Sequence, residues 1–172
     1  MTLGEARALV DYHYWARDRL LDAVAKLTPD QYSERIESSF PSIRETLVHL
    51  WAAESVWVAR WDGEAPTALP EGRELTDLPA LRQSWLALER RLHGVVARLG
   101  ENGVGSSLEY RGFDGQPRKE PFAPMLQHVV NHGSYHRGQI TMMLRQLGLP
   151  PAKQTDLIAF YRELAAPGAG AS

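Results

Sequence analysis

The stretch PMLQHVVNHGSYHRGQITMMLRQL, from Pro124 to Leu147, decides the fold. Within it Met125, Val129, His132, His136, Ile140 and Met143 recur at spacings of three and four, which places them along one line of a helix. Gly148 and Pro150-Pro151 then stop the helix. A long helix with a single inward line gains most of its stability from what covers that line, so partner helices are required.

The rest of the chain supplies them. Thr2-x-x-Glu5 reads as a capping box, in which the hydroxyl and the carboxylate each satisfy a free backbone donor. It opens a helix to Leu27 through Leu9, His13, Ala16, Leu20 and Val24. Thr28-Pro29-Asp30-Gln31 ends that helix and can start one further turn. Ser42-x-x-Glu45 repeats the capping pattern before a second helix. That helix carries two apolar stripes, one through Ile43, Leu47, Leu50, Glu54, Trp57 and Trp61, the other through Val48, Trp51, Ala52, Ser55 and Val58. A helix apolar on two sides must be buried on two sides, which predicts burial of the second stripe against another subunit in a homodimer, with cover by the following loop as the alternative. Asp62 to Thr76 has no helical period and reads as a crossover. Leu78 to Leu99 is helical again, with Gly100 at a left-handed stop. Ser107 to Phe122 is a hairpin about Asp114-Gly115, and Thr155 to Leu164 a short final helix. The expected fold is an all-α four-helix bundle with a long crossover and a small β-hairpin before the last long helix. It forms a single domain over residues 1–165, with a disordered tail over 166–172.

Composition narrows the function. The chain has 172 residues and a net charge of −2, without a basic footprint for nucleic acid or an anionic membrane. No stretch is apolar enough to span a bilayer, and Met1-Thr2-Leu3-Gly4-Glu5 does not resemble a signal peptide, so a cytoplasmic location is expected. The absence of cysteine removes disulfides, thiolate ligands and a cysteine nucleophile together.

The chemistry lies in the histidines. His128, His132 and His136 stand four residues apart on the last long helix, where successive imidazoles lie one above the other. Two such rings can share a metal ion. His128 and His136 are roughly 12 Å apart along the axis and cannot easily do so. The spacing leaves two registers open, 128/132 and 132/136. Imidazoles on an inward line need partners for their nitrogens, whether an ion, a carbonyl or a carboxylate. His49, bordering the core face of the second helix, is the candidate third ligand, and His13 on the first helix a weaker one. His93 sits among arginines and reads as solvated.

At these residues the chain resembles the DinB/YfiT-like family of damage-inducible proteins. The resemblance rests on Ser42-Ile43-Arg44-Glu45-Thr46-Leu47-Val48-His49-Leu50 followed by Glu54, and on His128-Val129-Val130-Asn131-His132-Gly133-Ser134-Tyr135-His136-Arg137-Gly138-Gln139. Tyr12-x-x-Trp15-Ala16, the crossover and the Asp-Gly hairpin also fit; Arg17-Asp18 departs from the Asn that many relatives carry there. The resemblance implies one divalent ion, nickel or zinc, held by His49, His132 and His136, and so favours the 132/136 register. It also implies up-down-down-up helix order and a homodimer. Some family members transfer bacillithiol or mycothiol, and others resemble isomerases or hydrolases.

Three neutral imidazoles would leave the full charge of the ion on the site and a fourth position open, as in catalytic rather than closed structural sites. Such an ion lowers the pKa of water or of a thiol, and with no cysteine in the chain the thiol must come from outside. The H-E-x-x-H arrangement of zinc peptidases is absent, because Gly133, Ser134 and Tyr135 fill the gap. Glu54, His128 and His13 are the candidate catalytic groups, with Glu54 equally readable as a buried hydrogen-bonding partner. Tyr135 and Arg137 have the chemistry to hold an anionic substrate, but read first as surface residues. The function expected is transfer of a low-molecular-weight thiol to an electrophile. The alternatives are a hydrolase using activated water, or a non-catalytic metal-binding stress-response protein.

Overall fold

The computed structural model describes residues 1–166, so the expected tail over 166–172 lies, apart from Ala166, outside the described residues. Among the described residues six helices and one hairpin follow in order: α1 (Leu3–Val24), α2 (Pro29–Ser33), α3 (Ile43–Trp61), α4 (Leu78–Val104), β1 (Ser107–Arg111), β2 (Pro117–Pro121), α5 (Phe122–Gln146) and α6 (Leu157–Leu164). Their starts follow local chemistry. Thr2 and Thr28 form complete capping boxes with Glu5 and Gln31. Ser42 accepts from the Glu45 N–H, but the return bond is replaced by a Ser42 hydroxyl donating to Glu45 Oε2 at 2.9 Å. Gly100 sits at φ 60 as expected of a left-handed stop, and a further turn then runs on to Val104. In the hairpin Tyr110 pairs with Arg118, and Gly115 takes the positive φ the turn requires.

Side-chain pairs fix the helix directions. Between α1 and α4 the pairs Leu3–Glu101, Arg17–Glu89 and Asp22–Arg82 run in opposite senses, so these helices are antiparallel. Between α3 and α4 the pairs Glu54–Trp85 and Asp62–Arg98 rise together, so these run parallel. Between α3 and α5 the pairs Thr46–Met143, His49–His132, Trp57–His128 and Trp61–Phe122 run oppositely. The bundle is therefore up-down-down-up. α1 and α3 each pack against both α4 and α5, around a core that includes Leu20, Leu47, Leu92, Phe122 and Leu144.

A parallel α3–α4 pair needs a long return connection, and residues 62–77 provide it. The loop runs back along α3, where Leu75 is buried and Gly72 lies against Val48 and Trp51. The second stripe of α3 is thus covered from within the chain. The reading of that stripe as a subunit contact is corrected: Trp51 and Val58 are already buried in one copy.

Gly72 has φ +59, and an added Cβ would stand 2.8 Å from Val48 Cγ1, whereas Gly63 has φ +87 with nothing within 4 Å. Gly63→Ala should cost about 1–2 kcal/mol of backbone strain alone. Gly72→Ala should cost about 1–3 kcal/mol more from overpacking. Urea unfolding of the two variants checks this; equal costs would mean the crossover does not pack as described.

Candidate metal centre

The antiparallel alignment of α3 and α5 brings His49 level with His132 and His136, which are one turn apart on α5. His49 Nε2 lies 3.3 Å from His132 Nε2, and His136 Nε2 lies 3.1 Å from the same atom. One nitrogen from each ring falls within 4.8 Å of the others. Two nitrogens bound at 2.0–2.1 Å to a tetrahedral ion stand about 3.3–3.4 Å apart, so the cluster has the dimensions of such a site. Three histidines are close enough to hold one metal ion.

The surroundings prepare the rings for that role. His136 Nδ1 is 2.7 Å from Gln139 Oε1, and Gln139 Nε2 donates to Ser39 at 3.0 Å. The amide oxygen holds the proton on Nδ1 and turns the Nε2 lone pair toward the other rings. Phe40 stacks on His49 with ring centres 4.3 Å apart. Burial pushes His132 down to about 4, with the charges of His136 and His49 adding to it. Burial lowers His49 and His136 as well, although the Gln139 bond works against it at His136. Neutral imidazoles are the form that ligates a metal.

The other candidates fall elsewhere. His128 is exposed, with its ring 5.6 Å from Trp57 and 6.1 Å from His132, and stands outside the cluster. His13 is buried, and its Nε2 lies 3.0 Å from Glu54 Oε2. Glu54 also accepts from Trp85 Nε1 at 2.8 Å and from the Tyr14 hydroxyl at 2.5 Å. Burial alone would raise the Glu54 pKa, but the neighbouring His13 and the three donors outweigh it and hold the carboxyl below its ordinary value. His13, Glu54, His128 and His132 share a small cavity between α1, α3 and α5. His93 is half-buried against Tyr14 rather than simply solvated. Tyr135 is exposed as expected, but Arg137 is buried and bonds Tyr12 and Ser134, which corrects its reading as a surface residue.

Gly133 makes this packing possible. A Cβ there would meet His13 Cε1 at 2.8 Å and Arg137 Nη1 at 2.9 Å. The sequence alone assigns no packing or orienting role to Gly133, Gln139 or Phe40. Gln139, three residues beyond His136 and so on the same helix face, was the one with a readable signal.

The DinB family profile matches residues 2–165 of the chain. Protein DinB of Bacillus subtilis (strain 168) is 28% identical over 151 residues, which cover 84% of this chain and 87% of that protein. The crystal structure of a DinB-like protein from Bacillus cereus ATCC 10987 superposes with a TM-score of 0.59 at 21% identity, covering 84% of this chain and 91% of that one. At that identity the superposition speaks for the fold.

The histidine pKa shifts set a pH dependence for the metal-free protein. His132 titrates near 4 when folded but about 6.5 when unfolded. Between these values the unfolded chain binds more protons, so stability falls as pH drops below about 6.5. The melting temperature should therefore decrease between about pH 7.5 and about pH 5, and His132→Gln should flatten that decrease. An unchanged slope in the variant would overturn the assignment.

Proposed function

Because the chain belongs to the DinB family, we propose that it is a metal-dependent enzyme that transfers a low-molecular-weight thiol of the bacillithiol type to an electrophile. His49, His132 and His136 would hold one divalent ion, zinc or nickel. The observation that carries the reading is the donor set itself, three imidazoles at ligand spacing with no carboxylate among them. When bound, the ion supplies undiminished positive charge that lowers the pKa of a thiol or of water.

The chain's own residues take the remaining tasks. Glu54 is committed to three donors, so its part is to fix His13 and to tie α1 and α4 to α3. Proton acceptance then falls to an imidazole: His128 at the rim, or His13 through Nδ1, which has no partner among the described residues. In the transfer, the carbon–sulfur bond forms as the leaving group departs with its electron pair, and the thiol proton passes to that imidazole. A second reading keeps the same residues with water as the nucleophile. It is supported by the cavity between His13 and His132, whose roughly 10 Å³ is room for about one water. The homodimer implied by the resemblance would need a face other than the covered stripe of α3; exposed apolar side chains elsewhere include Met142, Ile158 and Leu164.

Elemental analysis should find one ion per chain, lost in His49→Ala, His132→Ala and His136→Ala and kept in His128→Ala. Gln139→Ala should weaken binding by about 10- to 100-fold, the usual effect of losing an orienting partner. Equal loss in the His128 variant would refute the ligand set. Turnover of a model electrophile should require both metal and added bacillithiol. Metal-dependent turnover without any thiol would replace the transfer reading by hydrolysis.

A further inference from the structure

Among the described residues the fold buries three arginines, Arg17, Arg60 and Arg137, and the first and last differ sharply in standing. Arg17 is 3% exposed and bonds two carboxylates, Asp18 at 2.7 Å and Glu89 at 2.6 Å. Arg137 is 5% exposed, yet among the described residues no carboxylate forms an ion pair with it. Its Nη2 donates to the Tyr12 hydroxyl at 3.3 Å and to Ser134 Oγ at 2.7 Å, both neutral. Nε and Nη1 donate to no described group, and neither is sealed from accessible space. Glu54 acts on Arg137 only through space, being spent on three other donors. A buried cation without an adjacent anion is costly unless something completes it.

Arg137 lines a pocket of about 420 Å³ between α1, α5 and the approach to α6, together with Ser134, Thr141, Arg145, Asp156 and Leu157. This pocket shares no residue with the cavity beside His132. On α5, Ser134, Arg137, Thr141 and Arg145 recur at three and four, the face turned away from His132 and His136. The start of α6 points the same way. Asp156 is its N-cap but makes no side-chain capping bond; its carbonyl accepts from the Ala159 and Phe160 N–H groups, which leaves those of Leu157 and Ile158 without a partner among the described residues. Asp156 instead accepts from Gln154 at 2.9 Å and is the one negative charge in the lining. Two guanidinium groups and a free helix start therefore face one carboxylate.

We propose that this pocket binds a small oxyanion group, a carboxylate or a phosphate ester, which takes the free donors of Arg137 with Arg145 at the rim and the first turn of α6 beside it. The site lies apart from the histidine cluster and does not depend on the reaction assigned there. Guanidinium suits this task because its donors are fixed and charge-assisted.

The test titrates the intact protein with inorganic phosphate and, separately, with succinate, following the backbone amides of Gly138, Thr141, Leu157 and Ile158 by NMR. Saturation in the low-millimolar range or below is expected with at least one of them. The responding anion tells a phosphate from a carboxylate ligand. Arg137→Gln should weaken binding by roughly tenfold or more, the scale of one charged hydrogen bond. Arg145→Glu at the exposed rim should weaken it and Asp156→Asn should strengthen it, and these two keep the test decisive if Arg137→Gln fails to fold. His132→Ala should bind as the parent does. Failure of both anions to saturate, indifference to the Arg145 and Asp156 variants, or loss of the response in His132→Ala would each overturn the proposal.

Discussion

A carboxylate with almost no exposure to water must receive hydrogen bonds from the protein or give up its charge. Glu54 is such a group, and its three donors come from two other helices: His13 and Tyr14 on α1, Trp85 on α4. Removing any one would leave part of a buried charge uncompensated, an expensive defect compared with losing an apolar contact. The node therefore sets how α1 and α4 approach α3 at mid-height. Once α3 is placed by this bond set, His49 about one and a half turns earlier is placed as well. Its meeting with His132 and His136 then depends only on how α5 docks.

α5 docks closely because Gly133 lacks a side chain. His13 and Arg137 both occupy the space a Cβ would need, so the small residue brings the buried node and the unpaired guanidinium together. Charge in the interior is arranged as a sequence of local solutions. Glu54 is met by neutral and imidazole donors, Arg17 by two carboxylates, Arg60 by the rings of Trp57, Tyr110 and Phe113. Arg137 differs from these in that, among the described residues, its hydrogen-bond partners are two hydroxyls, with the Tyr12 ring centre 5.6 Å from its guanidinium carbon.

Much of this was legible in the sequence, for identifiable reasons. Capping residues at Thr2, Thr28 and Ser42, the period through Met125 to Met143, and Asp114-Gly115 all report local backbone chemistry, and the corresponding elements form where that chemistry places them. The meeting of His49 with His132 and His136 was legible only with the family resemblance, since spacing alone allowed either histidine pair. What could not be read was the far side of each contact. Nothing local distinguishes Val48 and Trp51 covered by a loop from the same residues covered by a second subunit. Arg137, in a polar run, looks like a surface residue until Tyr12 and Gly133 are seen beside it. Gly72, whose positive φ lets the loop close over α3, carries no signal beyond being a glycine.

The histidine cluster joins residues 83 positions apart, His49 and His132, with a pair only four apart, His132 and His136. The two halves exist at different stages of the chain's life. The close pair needs only one turn of α5, whereas the third imidazole needs α3 docked on α5. A chain with α5 helical but α3 undocked would offer an ion two imidazoles, and the third only once α3 had packed on α5. Were an ion bound there, its gain in folding free energy would be set by the difference between the two-ligand and three-ligand affinities, not by the full affinity of the finished site. Metal supply would thus act on the order of assembly as well as on the final fold, favouring routes in which α5 forms first and waits for α3.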